Sequence, residues 1–192
     1  MENTNPPAAP CHCHHSHHDA ATATAMLREE HEVILRALTL LERFGRRLET
    51  QQPVDRNGLG WLKEFFVTFA DRCHHSKEEQ HLFPALERHG IPKEGGPVEV
   101  MLYEHEEGRA LVRAMAQGDD RQVAEAIRGY TALLRGHIDK ENGILFSMAD
   151  QVLPEEEQRE LLRAFWEVEQ VAGPDTHERF LTQLDALEKK ES

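Results

Sequence analysis

Two His-x-x-x-Glu pairs are the most chemically distinctive feature of this 192-residue sequence. His74 and Glu78 lie in the stretch CHHSKEEQHLFP, and His137 and Glu141 lie in GHIDKENGILF. Four residues make just over one helical turn, so each imidazole shares a helix face with its carboxylate and both can hold one ion. The two pairs therefore predict metal ligation by nitrogen and oxygen atoms.

Two further histidines interrupt apolar stripes on other predicted helices. Steps of three and four residues give an apolar stripe broken by His31 along residues 25–49, and one broken by His105 along 96–117. At about 1.5 Å per residue, the helix lengths place the interruptions near one height of an antiparallel bundle. Two glutamates in an apolar core would need a counter-charge, so we expect bound cations there.

The number and type of these side chains favour two ions of iron or manganese. Imidazole with carboxylate suits these metals, and two carboxylates can bridge two ions. A closed structural zinc site takes four ligands, often thiolates, so six nitrogen and oxygen ligands are too many. The register on the second helix stays open at this point, because His75 and Glu79 repeat the spacing of His74 and Glu78.

The elements that must position these residues are all helical. We predict an all-α fold, an up-down-up-down four-helix bundle with two additional C-terminal helices, because no alternating strand pattern occurs. The four bundle helices are predicted over about residues 25–49, 59–89, 96–117 and 120–150. On the fourth helix the inward stripe is predicted to include Tyr130, Leu134, Ile144 and Met148.

The chain divides into three predicted segments. Residues 1–22 contain CHCHHSHH without apolar periodicity, which indicates a disordered His/Cys-rich tail with either incidental metal affinity or a role in metal delivery. The bundle occupies residues 23–150. Residues 151–192 are predicted to form a helical extension, and its aromatic residues Phe165, Trp166 and Phe180 are expected to pack on the bundle or to form a surface for a partner.

Composition limits the classes of partner. The formal net charge of −13 argues against nucleic acid and anionic membranes, and no apolar run is long enough to span a bilayer. The amino terminus lacks the pattern of a secretory signal, and three cysteines do not make a disulfide framework. We therefore expect a cytoplasmic protein, and the sequence identifies no protein partner.

The segments LREEH, CHHSKEEQHLFP, YEHEEGRAL and GHIDKENGILF resemble the hemerythrin-like (HHE cation-binding) domain. The resemblance covers residues 26 to about 150 and includes LFP and ILF after the two pairs. It implies a four-helix bundle around two non-haem iron ions with oxo or hydroxo and carboxylate bridges, manganese or zinc being substitutes. Carried over residue by residue, the implied metal ligands are His31, His74, Glu78, His105, His137 and Glu141.

The resemblance also selects one register and one branch of the family. It assigns ligation to His74 and Glu78, which leaves His75 and Glu79 as a solvent-facing or supporting pair. Oxygen-carrying hemerythrins have a second histidine four residues from the one on the third helix. In this chain the residues four before and four after His105 are Met101 and Arg109. The chain thus resembles the four-histidine branch, which includes bacterial iron-centre repair proteins and proteins that act on nitric oxide or peroxide.

Several functions fit this branch. The first is binding or sensing of a small oxidant, dioxygen, nitric oxide or peroxide, at a His/Glu-bridged di-iron centre. The alternatives are a catalase- or peroxidase-like enzyme, and a protein for iron storage or iron-centre repair. Peroxide chemistry needs a proton-handling group, for which His81, Tyr130 and Glu104 are candidates. His81 could instead ligate a metal, while Cys73 is expected to be a small buried hydrophobic residue.

Overall fold

A computed structural model describes residues 20–173 and 175–191. Within these residues the chain is helical and contains no strand, which confirms the all-α prediction. The helices are α1 (Ala23–Glu49), α2 (residues 56–88), α3 (Pro97–Met115), α4 (residues 120–152), α5 (Glu155–Ala172) and α6 (Thr176–Lys190). Residues 1–19, which hold most of the predicted tail and its CHCHHSHH stretch, lie outside the described part of the chain.

Helices α1 to α4 form the up-down-up-down bundle, in which α4 packs extensively against both α1 and α3. Local sequence fixes where these helices begin. The Thr22 hydroxyl accepts a hydrogen bond from the Ala25 N–H at the start of α1, and Asp119 forms a reciprocal capping box with Gln122 at the start of α4. A Cβ at Gly45 would lie 2.8 Å from Ile127, so this glycine permits the close approach of α1 to α4.

The apolar core is divided into two clusters along the bundle axis. On α1, Ile34 belongs to one cluster and Leu27 to the other, and on α4 Ile138 and Leu145 are divided in the same way. The residues between them are the polar interruptions predicted from the sequence, such as His31 on α1. The fold therefore places one polar layer between two apolar halves.

Helices α2 and α4 widen into π-helix at the two His-x-x-x-Glu pairs. The π-helical segments are Phe66–His75 and Glu78–Leu82 in α2 and Glu141–Leu145 in α4. Because a π-turn holds more residues than an α-turn, it shifts the register of every residue after it. The prediction that Ile144 faces inward is therefore wrong, since this side chain is 56% exposed and Leu145 is buried instead.

Helices α5 and α6 cover one side of the bundle. The buried Phe180 ring of α6 packs edge-on against Phe65 of α2, with ring centroids 5.6 Å apart. Phe165 of α5 is buried in the core cluster that contains Leu27 and Leu86. In the described residues, every helix is too short or too polar to cross a lipid bilayer.

Candidate metal centre

All four predicted histidine ligands are buried, and Nδ1 of each contacts a residue of a neighbouring helix. For the histidines of α2, α3 and α4 this is the preceding helix of the chain, and for the histidine of α1 it is α4. The Nδ1–oxygen distances are 2.8 Å for His31 to Asn142, 2.8 Å for His74 to Glu30, 2.7 Å for His105 to Glu79 and 2.9 Å for His137 to Glu104. A carboxylate can only accept, so Nδ1 carries the proton in at least the three histidines that it anchors. In a neutral ring the Nε2 atom then faces the interior as a lone-pair donor, an arrangement typical of metal-bound histidine. Nε2 of His105 and Nε2 of His137 lie 3.1 Å apart, so without metal they can share one proton.

The two glutamates lie between the histidines. The carboxylate oxygens of Glu78 lie 3.5 Å from Nε2 of His74 and 3.5 Å from Nε2 of His105. One oxygen of Glu141 lies 3.2 Å from Nε2 of His31 and 3.2 Å from Nε2 of His137. Each carboxylate thus touches histidines of two different helices, as a bridging ligand would.

Most of these inward-facing atoms have no partner. Among the described residues, nothing makes a hydrogen bond to either oxygen of Glu78 or Glu141, or to Nε2 of His31 and His74, although all are buried. Buried polar atoms without partners are costly, so the arrangement is complete only with a cation at its centre. The donor set of imidazoles and carboxylates fits iron or manganese.

The donors form two groups that share Glu78. In one group, donor atoms of His31, His74, Glu78 and Glu141 all lie within 4.8 Å of one another. In the other, the same holds for His75, Glu78, His105 and His137. The geometry therefore brings together all six side chains predicted as ligands and adds His75, while ligation itself stays a prediction.

Comparison with known proteins identifies the family. The chain matches the model of the hemerythrin HHE cation binding domain over residues 22–149. It belongs to the hemerythrin HHE family. Assignment to the four-histidine branch stays a prediction, because the match does not distinguish between branches.

Three similar proteins are named only as uncharacterised. One from Mycobacterium bovis and two from strains of Mycobacterium tuberculosis are 25% identical to this HHE protein over 154 residues. The alignment covers 75% of this chain but only 60% of each relative. No solved structure matches the chain.

The two inner carboxylates of the HHE domain, Glu78 and Glu141, have pKa values shifted in opposite directions. Burial and the nearby charge of Glu141 hold the pKa of Glu78 well above its usual range. Burial also disfavours the charge of Glu141, yet cationic His137 beside it holds the pKa of Glu141 well below normal. Burial lowers and Glu141 raises the pKa of His137, with a net increase to about 9. Metal binding must therefore displace protons, so metal affinity falls as pH falls.

His75 is closer to the candidate centre than the sequence pattern required. Of the two predicted positions, solvent-facing or supporting, the solvent-facing one is wrong for His75, because it is only 5% exposed and its ring stacks on His105 with centroids 3.9 Å apart. Glu79 is half-buried and accepts from Nδ1 of His105, as a supporting residue would. The π-helical segment that ends at His75 turns both it and His74 inward.

The three residues predicted as possible proton donors or acceptors lie outside both donor groups. His81 belongs to neither donor group and faces Phe165 of α5. Tyr130 is buried against Phe66, and burial raises the pKa of its hydroxyl. Glu104 accepts hydrogen bonds from His137 and Lys140, so it holds a ligand in place.

A buried lysine connects the HHE domain to the C-terminal helices. Lys77 is fully buried and donates to Glu30 of α1 and, over 2.7 Å, to Glu169 of α5. Burial opposes both charges, but their mutual attraction raises the pKa of Lys77 and, with help from His74, lowers that of Glu30. Since Glu30 anchors His74, helix α5 is linked to the candidate metal centre through two ion pairs.

Cys73 is buried in the same place, as expected. Burial and the charge of Glu30 raise the pKa of its thiol to about 12, so the sulfur stays protonated. Donor atoms of Glu30, Cys73 and Glu169 lie within 4.8 Å of one another. Lys77 forms an ion pair with each of the two carboxylates, so both already have a cationic partner without a metal ion.

Proposed function

We propose that this protein holds two iron ions in the polar layer of its bundle and binds a small oxidant there: dioxygen, nitric oxide or peroxide. The observation that carries the proposal is the set of inward-facing donors, six of whose buried atoms have no hydrogen-bond partner among the described residues. The two donor groups correspond to two ions, and Glu78, which belongs to both, would bridge them. Iron in such a site supplies redox chemistry and exchangeable coordination positions.

A cavity beside the candidate centre supports access by a small molecule. It measures about 200 Å³ and lies between α2, α3 and α4. His75 and Glu104, which both contact the donor histidines, line it together with Gly108 and Tyr130. The remaining wall combines apolar side chains such as Phe66 with charged ones such as Arg72, and the cavity volume is sufficient for a diatomic molecule or hydrogen peroxide.

The geometry favours ligand binding over peroxide turnover and over iron storage. Peroxide turnover needs a free proton donor at the centre, but His81 faces α5 and Glu104 is occupied by His137 and Lys140. Tyr130 lines the cavity, but burial raises the pKa of its hydroxyl and makes it a weaker proton donor. Iron storage requires room for many ions, whereas the donor groups within the described residues correspond to two. Binding or sensing of an oxidant requires only the ions and a route to them.

The test is metal analysis followed by ligand exposure. Protein purified without oxygen should contain about two irons per chain, from the two donor groups. Its visible spectrum is then recorded after air, nitric oxide and hydrogen peroxide in turn, and again after each is removed. A reversible change supports binding, continuous consumption of peroxide would favour the enzyme, and less than one iron per chain would refute the di-iron proposal.

Removal of the metal is expected to destabilise the protein. Ligands that bind only the folded state stabilise it by about 4 kcal/mol when their free concentration is about 1,000 times Kd. For a chain of this size, that free energy corresponds to a melting temperature roughly 8–16 °C higher than in the metal-free protein. Calorimetry of the iron-loaded, chelated and reloaded protein measures the difference, and equal melting temperatures would show that the polar layer holds no ion.

Filling the cavity is expected to slow ligand entry without removing the metal. A Cβ at Gly108 would lie 3.5 Å from Tyr130, so the longer side chain of Gly108→Leu must occupy the cavity. We expect azide to bind about tenfold more slowly, which corresponds to about 1.4 kcal/mol in the barrier. Stopped-flow absorbance measures this rate. Gly136→Leu, on an open face of α4, is the control, and equal slowing of both variants would contradict this route.

A further inference from the structure

His75 occupies a position equivalent to that of a metal ligand, although the sequence pattern does not predict that it binds metal. Its donor atom lies within 4.8 Å of donor atoms of Glu78, His105 and His137. Its ring stacks on that of His105 and lies edge-on to that of His137, with centroids 5.9 Å apart. It is therefore a fifth imidazole at one end of the candidate centre.

The orientation of His75 follows that of the other four histidines. Its Nδ1 faces a carboxylate oxygen of Asp71 at 3.4 Å, so its Nε2 is directed away from this anchor. Arg109 donates to Asp71 over 2.8 Å and to Glu79 over 2.7 Å. One guanidinium thus fixes both the anchor of His75 and that of His105, which indicates that the two rings are positioned together.

Two features distinguish His75 from the other histidines. Its contact with Asp71 is the longest of the five Nδ1 contacts, and its side chain lines the 200 Å³ cavity. A molecule that enters through this cavity meets His75 before His105 or His137, which are not part of the lining. The imidazole that is held least tightly therefore lies on the side from which a ligand would arrive.

We infer that His75 is a displaceable fifth imidazole ligand of the ion held by His105 and His137, and that an incoming small ligand takes its place. This inference rests on the proposed function. It makes the two ions unequal, with three imidazoles at one and two at the other. Displacement is a ligand exchange, in which one donor leaves the ion as another binds.

The inference predicts that loss of His75 strengthens the binding of small ligands. If His75 occupies its position about nine-tenths of the time, the apparent Kd for azide is raised about tenfold by competition. His75→Ala should then bind azide about tenfold more tightly, and added imidazole should restore the wild-type affinity. His81→Ala, on the same helix but outside both donor groups, should leave azide affinity unchanged.

Cobalt loading separates this inference from the proposed function. Visible Co²⁺ absorption intensifies when a ligand is lost, so it should increase in His75→Ala and decrease again with imidazole. His75→Gln serves as the second variant if the alanine protein does not fold. Unchanged cobalt spectra and unchanged or weaker azide binding would overturn the role of His75 alone. Wild-type protein that binds neither cobalt nor iron would overturn the proposed function as well.

Discussion

Glu78→Met is expected to abolish loading of the metal pair and to make the metal-free protein more stable than the wild type. Glu78 is the only residue common to both donor groups of the described chain, so each ion loses a ligand. Without metal, the buried carboxyl has no hydrogen-bond partner among the described residues, and its raised pKa favours the neutral form. An unsatisfied group of this kind costs about 1–3 kcal/mol, which methionine of similar size removes.

Two measurements on the same proteins test this expectation. Metal analysis should show less than one iron per chain in Glu78→Met, and urea unfolding of the chelated proteins should show the gain in free energy of unfolding. Glu87→Met, at an exposed position of α2, controls for the gain in hydrophobicity and helix propensity. A chelated Glu78→Met protein less stable than wild type would mean that the carboxyl has a stabilising partner when the metal is absent.

Lys77→Met is expected to lower the free energy of unfolding by about 3–5 kcal/mol, the usual cost of breaking a buried ion pair. The substitution leaves the fully buried carboxylate of Glu30 without the ammonium that balances it. Because Glu30 also anchors His74 through Nδ1, metal affinity should fall about 10- to 100-fold as the ring loses its orientation.

Double substitution and a lysine control test this explanation. In Lys77→Met with Glu30→Gln, the amide oxygen can still accept from His74 and no charge is left at the fully buried position 30, so much of the lost stability should return. Urea unfolding and competition with a chelator measure the two effects. Lys63→Met, on the same helix, should change stability by about 0.5 kcal/mol or less. A double variant no more stable than the single one would show that packing, not charge, explains the loss.

Helical periodicity was sufficient to predict the bundle, because each helix carries one apolar stripe and each stripe must face the same core. It also predicted that His31, His74, His105 and His137 meet at one height, because short loops fix the relative heights of neighbouring helices. Register after a π-turn could not be predicted in this way. Stepping at 3.6 residues per turn places Ile144 inside, whereas the additional residue in the turn places Leu145 there.

The supporting residues were beyond prediction for a different reason. Whether Glu30 reaches His74 depends on how far α1 and α2 are rotated about their own axes, and the pattern of one helix does not contain that rotation. His75 illustrates both limits. Adjacent residues of an α-helix point about 100° apart, so the sequence suggested that only one of His74 and His75 faces inward. In the π-helical segment both side chains are buried.

The Nδ1 hydrogen bonds close a circuit around the bundle, since α2 is tied to α1, α3 to α2, α4 to α3 and α1 to α4. Separation of any one helix therefore breaks both the bond that its own histidine donates and the bond that its acceptor receives. Partial opening of a single helix would disturb two ligands at once. We expect metal release and unfolding of the bundle to occur as a single cooperative event, with amide hydrogens of all four helices exchanging at one common rate in the loaded protein.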